Sequence, residues 1–357
     1  MPAVNLPLIR GWVVVIVAST LATFLLDAVG LPSPVLFGTL LGGIAYALTM
    51  ATPLAIPARA FNVGQALVGV TIGAMVNLPA LDRLGTEWPS VLAVTLGTVA
   101  ISVLAGRMLA FRRDVTATTG AFALIAGGAS GITALARELG ADEQVVTIVQ
   151  YLRVLLVLLA MPLVTTVVFH PPTGRGVVEA GDPTWLPADV LYTVAAVVLG
   201  LVAARYARIP AGSLLGPLLV AVGLSVSGVL GTVTVPSLLA NAGYALIGVQ
   251  VGLRFTRASL RSVVRLLPWA VVLILVVIAA CAAMGVFLSS VTGIDGLSAY
   301  LATTPGGVYA VLAMAADSGA DVTYVLAVQV IRVFVMLLAA PLLARLLRPR
   351  SDGAPAG

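Results

Sequence analysis

The chain has 357 residues, of which 60% are hydrophobic and only 9% are charged, and its mean hydropathy is +1.13. A soluble domain could not hydrate that much apolar surface, so the composition excludes one and predicts helices that span a lipid bilayer. The net charge of +5 comes entirely from arginine, since the sequence has no lysine; most arginines lie in short segments between apolar runs, which indicates membrane topology rather than a nucleic-acid partner.

Twelve apolar segments follow in chain order, six in each half of the sequence. In the first half they cover residues 11–29, 35–50, 60–77, 89–110, 118–137 and 143–169. In the second half they cover residues 187–206, 211–229, 239–254, 264–290, 295–316 and 322–346. A stretch rich in proline and glycine joins the halves. The predicted units are a first membrane repeat (1–170), a linker (171–186), a second membrane repeat (187–347) and a disordered tail (348–357).

The two halves are copies of one another at a constant spacing. The segment from Gly140 to Arg153 reappears from Gly319 to Arg332, and the difference in numbering, 332 − 153 = 179, is called the repeat offset below. The same offset pairs other glycines and prolines, namely Gly69 with Gly248, Gly127-Gly128 with Gly306-Gly307, and Pro162 with Pro341. Internal repeats in an apolar chain are typical of secondary transporters.

The arginine distribution decides how many segments cross the bilayer. If all twelve crossed, the four-arginine loop 254–265 would lie outside, although arginine-rich loops prefer the cytoplasm. If the fifth segment of each half enters and leaves on one side, every arginine cluster falls in the cytoplasm together with both chain termini. Ten crossings then remain, with two re-entrant segments at 118–137 and 295–316.

Five crossings per copy is an odd number, which forces the second copy to face the opposite way. The predicted fold is an all-α integral membrane protein with two inverted repeats, each of five transmembrane helices plus one re-entrant or broken segment. Glycine and proline in the fifth segments, at 126–131 and 303–307, permit a turn at membrane depth. The expected location is the cytoplasmic (inner) membrane.

Two arginines lie at half depth in apolar helices. Arg153 and Arg332 each come about ten residues into the sixth segment of their copy, which is about 15 Å along a helix and half of a hydrocarbon core of about 30 Å. Charge there is costly, so each arginine has a specific use. One hypothesis is a structural clamp that bonds the broken backbone of the re-entrant segment, and the other is a site for an anion. Gln150 and Gln329, three residues earlier, lie on the same helix faces.

The tips of the re-entrant segments are the other candidate ligand-binding elements. A broken helix offers free N–H groups near the middle of the bilayer. The predicted substrate-binding residues at these tips are Gly127, Gly128, Ser130, Thr304, Gly306 and Gly307.

A coupling cation has weaker candidates. Asp142 and Asp321 open the sixth segments, and Asn62 and Asn241 open the third segments. Helix capping is the simpler interpretation of all four residues. The alternative is that these residues bind the coupling ion, and whether that ion is H⁺ or Na⁺ is left open.

Signatures of enzymes do not occur in the sequence. One histidine, His170, and one cysteine, Cys281, cannot assemble a metal centre or a disulfide framework. The glycines of Gly127-Gly128-x-x-Gly131 lie in an apolar segment without a following lysine, so nucleotide binding is not indicated. We expect no catalytic site, no metal and no cofactor.

Several stretches resemble the AbrB membrane-protein family, whose members contain two copies of one unit. The matching residues are Pro34 to Gly38, Gln65 to Gly73, Gly127-Gly128, Gly140 to Asp142, and Gln150-x-x-Arg153, with their second-copy counterparts Tyr244 to Gly248 and Pro305 to Gly307. The family is similar, more distantly, to the antiporter and anion-transporter superfamily. Its members are often labelled ammonia monooxygenase or transcriptional regulator, and neither label suits a chain without metal ligands or a DNA-binding module.

The function that these features favour is secondary transport of a small organic anion of the carboxylate type, by alternating access and coupled to H⁺ or Na⁺. The alternative is a membrane-embedded regulator that senses a ligand and affects gene expression indirectly. The expected partners are the anionic substrate and the lipid bilayer, without nucleic acid, and a homodimer is left open.

Overall fold

The computed structural model describes residues 6–50, 52–76, 78–111, 115–125, 136, 141–170, 187–207, 212–227, 234–257, 261 and 264–347, and these residues form α-helices joined by short connections. Before the linker, the long helices are α1 (Leu6–Ala28), α2 (Pro34–Thr49), α3 (Ala58–Met75), α4 (Leu78–Leu109), α5 (Ala117–Leu124) and α6 (Glu143–Val164), which continues as a π-helical turn, Thr165–Phe169. After the linker follow α7 (Pro187–Ala207), α8 (Gly212–Ser227), α9 (Ser237–Gly252), α10 (Leu267–Thr292), α11 (Gly296–Thr303), α12 (Val308–Ser318) and α13 (Val322–Leu347).

The protein is an all-α, multi-pass membrane protein. Within the described ranges, five helices are long and apolar enough to cross a bilayer, namely those over Leu8–Ala28, Trp88–Leu109, Glu143–Phe169, Pro187–Ala207 and Leu267–Thr292. Many large apolar side chains on these helices are exposed on the protein surface, such as Phe24, Leu104 and Phe287. Such faces are stable in contact with lipid. Most helix positions agree with the predicted apolar segments, but the predicted start of the fourth segment at residue 89 was wrong, because α4 begins at Leu78.

The fifth segment of the second copy is broken in two. Helix α11 ends at Thr303 and α12 begins at Val308, so Thr304–Gly307 interrupts the helix where Pro305 supplies no N–H. At 1.5 Å per residue, the two pieces measure about 12 and about 17 Å, and neither could cross a core of about 30 Å. In the first copy, α5 has the same length as α11 and begins one repeat offset earlier. The tip residues Gly127, Gly128 and Ser130 fall outside the described residues.

The copies pack on one another reciprocally. The third helix of each copy lies on the second helix of the other, because α3 contacts α8 and α9 contacts α2. Glycines permit this close approach. A methyl group added at Gly69 would collide with the carbonyl oxygen of Leu214, and one added at Gly248 would collide with that of Leu36.

Helices α3 and α9 also cross each other directly. A methyl group at Gly64 would lie 2.8 Å from Leu246 Cβ, and a methyl group at Gly243 would lie 3.0 Å from Leu67 Cβ. The repeat offset relates Gly64 to Gly243 and Leu67 to Leu246, so the two contacts are exchanged between the copies. An approximate two-fold relation of the copies follows from these exchanged contacts. Inversion across the membrane stays a prediction, and the linker 171–186 and the tail 348–357 lie outside the described residues.

Candidate functional site

The first polar centre lies where α6 passes the end of α5. Gln150 Nε2 donates to the carbonyl oxygens of Phe122 (2.6 Å) and Ile125 (2.8 Å). Arg153 Nη1 donates to the carbonyl oxygens of Leu124 (3.2 Å) and Ile125 (2.8 Å). The last carbonyls of a helix have no partners within it and carry partial negative charge. Arg153 and Gln150 therefore supply the donors that the short helix α5 needs in an apolar environment.

The second polar centre repeats this arrangement between α13 and α11. Gln329 Nε2 lies 3.0 Å from the carbonyl oxygen of Leu301, 3.3 Å from that of Ala302 and 3.2 Å from that of Thr304. Arg332 Nη1 donates to Thr304 at 2.9 Å, and Arg332 Nη2 donates to Gln329 Oε1. The Arg332–Thr304 and Gln329–Leu301 bonds have counterparts in the first copy at the repeat offset. In both copies, therefore, direct hydrogen bonds support the hypothesis that the arginine is a structural clamp.

Both guanidinium groups are buried, with 2% of Arg153 and 1% of Arg332 exposed. Each Nε atom lacks a hydrogen-bond partner in the described part of the chain, where neither arginine forms an ion pair with a carboxylate. The helix ends provide partial rather than full negative charge. An anion-binding role of the arginines stays a prediction, which these uncompensated charges motivate.

The two polar centres are joined by packing. Helix α13, which carries Arg332, contacts α5, whose end Gln150 and Arg153 bond, and helix α10, which carries the buried Cys281, contacts α6 and α11. The tip of the second copy touches the arginine helix of the first: a methyl group at Gly306 would lie 2.8 Å from Val157 Cγ1, and one at Gly307 would lie 3.8 Å from Val154 Cγ1. The tip of the second copy and both arginine helices therefore meet, and the predicted meeting with the first tip falls outside the described residues.

Thr304 faces inward at this tip. Its hydroxyl donates to the carbonyl oxygen of Tyr300 at 2.7 Å, and its own carbonyl oxygen accepts from Gln329 and Arg332. The residue is buried, at 2% exposure. In this conformation the predicted ligand Thr304 stabilises the end of α11.

The start of α12 is the more open part of the tip. Gly307 is the N-cap residue and provides no side-chain cap, and Gly307, Val308 and Tyr309 are half-buried. Gln65 of α3 donates to the hydroxyl of Tyr309 at 2.7 Å. The first N–H groups of a helix have no partners within it and favour an anion. Gln65 occurs in a repeated motif, but its contact with the tip was not predictable from sequence, since the repeat offset pairs it with Tyr244.

The predicted coupling residues Asp142 and Asp321 are surface residues. Asp142 Oδ1 accepts from the backbone N–H groups of Gln144 (2.9 Å) and Val145 (3.1 Å), and Asp321 Oδ1 accepts from that of Tyr324 (3.0 Å). Both carboxylates are exposed, which agrees with the capping interpretation.

The capping interpretation was wrong for the two asparagines. Asn62 and Asn241 lie about one turn inside α3 and α9, because these helices begin earlier than predicted, after the N-cap residues Pro57 and Pro236. Proline favours a helix start since it fixes φ and needs no N–H partner there. Both asparagines are exposed.

A half-buried acid that the sequence analysis passed over lies in the last turn of α12. Asp317 Oδ2 accepts a hydrogen bond from Ser33 Oγ at 2.5 Å. The repeat offset pairs Asp317 with Glu138 in the sequence, and Glu138 lies outside the described residues. Within the described residues no group of three His, Cys, Asp or Glu side chains could hold a metal ion.

Comparisons with known proteins give the same family as the sequence motifs. Residues 35–348 match the family described as "Transition state regulatory protein AbrB". The chain is 34% identical over 339 residues to a protein of Escherichia coli (strain K12) named "Putative regulator AbrB", covering 94% of this chain and 95% of that protein. It is 28% identical over 354 residues to "Uncharacterized protein YhjN" of Bacillus subtilis (strain 168), covering 93% and 92%.

Proposed function

We propose that this chain, which belongs to the AbrB family, is a secondary transporter that moves a small organic anion of the carboxylate type across the cytoplasmic membrane. The observation that carries the proposal is the pair of buried arginines, one from each copy, which have an unpartnered Nε atom each and no carboxylate partner among the described residues. Charges in a medium of low polarity are costly, and an anion near them would lower that cost.

The broken segment supplies the geometry for binding. Helix α12 begins at a half-buried tip, and its first N–H groups can donate to a carboxylate. The Gln65–Tyr309 pair adds an amide and a hydroxyl beside the same helix end. A carboxylate held there would lie near the arginine helix α6, which touches Gly306 and Gly307. The arginines then act through their electric field while they hold the ends of α5 and α11.

Alternating access follows from the repeat. The two copies exchange contacts reciprocally, and in the proposed arrangement they face opposite sides of the membrane. When the two copies exchange their conformations, the protein passes from a state open to one side to an equivalent state open to the other side. We propose ten crossings, two re-entrant segments and cytoplasmic termini, with the arginine centres moving against the glycine-packed helices α2, α3, α8 and α9. This motion is inferred from fold analogy. Coupling to an ion would allow transport against a concentration gradient.

Uptake into liposomes tests the function directly. Purified protein is reconstituted, and radiolabelled acetate, lactate, succinate and citrate are each offered outside vesicles loaded with the same unlabelled anion. We expect saturable counterflow of at least one carboxylate and none of a neutral analogue such as glycerol. Protein-free vesicles give the background. The absence of counterflow for all carboxylates, with the protein folded and inserted, would contradict the proposal.

A regulatory function is the second candidate, and the name of the Escherichia coli relative favours it. A sensor would bind a ligand without moving it. Thermal stabilisation of the purified protein by one of the four carboxylates, without counterflow of that carboxylate, would select the regulator over the transporter.

A further inference from the structure

Asp317 lies at the end of α12 that is farther from the tip. It belongs to the last turn of that helix and accepts a hydrogen bond from Ser33 at the start of α2. Ser33 is buried, with 2% exposed, and Asp317 is half-buried. The acid and the hydroxyl therefore join α12 to α2 in a largely buried contact.

The surroundings disfavour a lasting negative charge on Asp317. A carboxylate at the C-terminal end of a helix faces the negative end of the helix dipole. Of the helices packed on α12, α3 has the exposed Arg59, α11 is capped by Asp295, and α13 has the exposed Asp321 and the clamped Arg332. None of these side chains pairs with Asp317 among the described residues. A cation is therefore the natural partner of this carboxylate.

Ser33 is held in a strained conformation for its contact with Asp317. Its backbone has φ 54° and ψ 47°, the left-handed region, which is unfavourable for a residue other than glycine. The side chain does not cap α2, although Ser33 is the N-cap residue of that helix. Strain of this kind persists where the side chain has a use, and here the hydroxyl is bonded to the acid.

We propose that Asp317 is the group that binds the coupling cation of the proposed transport function, and that this cation is a proton. A proton needs one carboxylate oxygen, whereas a metal cation needs a shell of several oxygens. The proton would come from water on one side of the membrane, form an O–H bond at the carboxylate, and leave to water on the other side. Ser33 is a positioning residue, whose hydroxyl donates a hydrogen bond to the carboxylate. Glu138 holds the matching position in the first copy.

Infrared spectroscopy tests the protonation site without a transport substrate. Spectra of the full chain in lipid are recorded over a pH series for the wild type, Asp317→Asn and Ser33→Gly. We expect the protonated-carboxyl band of the wild type to contain a titrating component that is missing from Asp317→Asn, in which the other carboxyls still titrate, and that is displaced in Ser33→Gly, which removes the hydroxyl while glycine accepts the left-handed backbone. Identical titrations of the wild type and Asp317→Asn would overturn the proposal.

A transport measurement tests the coupling. Vesicles with an imposed pH gradient are offered radiolabelled lactate and, separately, succinate. We expect the gradient to accelerate uptake by the wild type, and Asp317→Asn to lose this acceleration while it keeps lactate or succinate counterflow. Gradient-driven uptake by Asp317→Asn, or acceleration of wild-type uptake by Na⁺ instead of the pH gradient, would overturn the proton assignment. If no carboxylate moves at all, the transport function fails, and the infrared titration still decides whether Asp317 takes up a proton.

Discussion

The two arginine clamps differ in how completely their polar atoms are bonded. In the second copy, Gln329 Oε1 accepts from Arg332, and Gln329 Nε2 reaches three carbonyl oxygens. In the first copy, Gln150 Oε1 has no partner within the described residues, and Gln150 Nε2 reaches two carbonyl oxygens. Both copies have the clamp, but the glutamine of the first copy makes fewer hydrogen bonds than that of the second. The two copies are therefore not equivalent.

The residues at the ends of the short helices differ in the same sense. After Thr304 comes Pro305, which breaks the helix, whereas Ile125 is followed by Ala126. Proline removes an N–H and leaves a carbonyl that needs an outside donor. The hydrogen bond from Gln329 to the carbonyl oxygen of Ala302, which has no counterpart in the first copy, answers that need. We infer that the second clamp chiefly holds the backbone, and that the first has polar capacity left for a ligand.

Among the variants that test this difference, replacement of either arginine should have the largest effect. Arg153→Gln and Arg332→Gln should both abolish carboxylate counterflow, because each removes one of the two charges that favour the anion. Insertion should be unaffected, since a buried charge is removed and none is added. Both variants should also lower the melting temperature, because Arg153→Gln deprives Leu124 and Ile125, and Arg332→Gln deprives Thr304 and Gln329, of charged donors worth about 1.5–3 kcal/mol each. If both variants insert and transport normally, the arginines are clamps only.

The glycine contacts give the next largest effect and serve as a matched pair across the copies. Gly69→Ala and Gly248→Ala should each destabilise the protein by about 1–3 kcal/mol, because the added methyl groups would meet backbone oxygens. Gly223→Ala is the control, since nothing lies within 4 Å of a methyl group there. Thermal unfolding in detergent measures the three variants. Equal melting temperatures for Gly248→Ala and Gly223→Ala would exclude close packing at α2.

The glutamines sharpen the comparison of the clamps themselves. Gln329→Leu should lower the free energy of unfolding by about 1 kcal/mol more than Gln150→Leu, because it breaks two further hydrogen bonds, one of them to Arg332. Denaturation of the purified variants in detergent measures the difference. A larger loss of stability for Gln150→Leu would contradict this account, because it would mean that the glutamine of the first clamp contributes more hydrogen-bond energy than that of the second.

The helix caps should show the smallest effect. Asp142→Ala should cost about 1 kcal/mol, and Asp321→Ala less, because Asp142 accepts two backbone N–H groups and Asp321 one. Neither variant should lose counterflow if both carboxylates are only caps. Loss of counterflow with unchanged stability would return these residues to the coupling site. Asn62→Ala, on an exposed face of α3, is the control for an unspecific effect.

Much of the fold was predictable because bilayer crossing imposes simple rules. Long apolar runs predicted most helix positions, and the repeat offset predicted that Gln150 and Arg153 correspond to Gln329 and Arg332, whose hydrogen bonds are paired in the structure. The break at Pro305 followed from the missing N–H. These features depend on local sequence or on repetition, which a single chain displays.

The rest of the site depends on contacts between distant residues. Ser33 meets Asp317 across 284 positions, and Gln65 meets Tyr309 across 244 positions. Neither pair shares a motif, so no local pattern in the sequence brings the partners together. The start of α3 was misplaced for another reason: Pro57 begins the helix in a stretch whose first residues, including Arg59, are not all apolar. Hydropathy alone therefore gave too late a start and made Asn62 look like a cap.

The sidedness of two matched positions tests most directly whether the copies are inverted halves of one site. Gly85 and Val264 are exposed, are related by the repeat offset, and lie before the fourth span of each copy. Gly85→Cys and Val264→Cys are each labelled with a membrane-impermeant maleimide, before and after permeabilisation. The parent protein is the control, because its one cysteine, Cys281, is buried. Inversion predicts that Gly85→Cys reacts from outside and that Val264→Cys reacts only after permeabilisation. Labelling of both variants from the same side would contradict the inverted repeat and the shared site built on it.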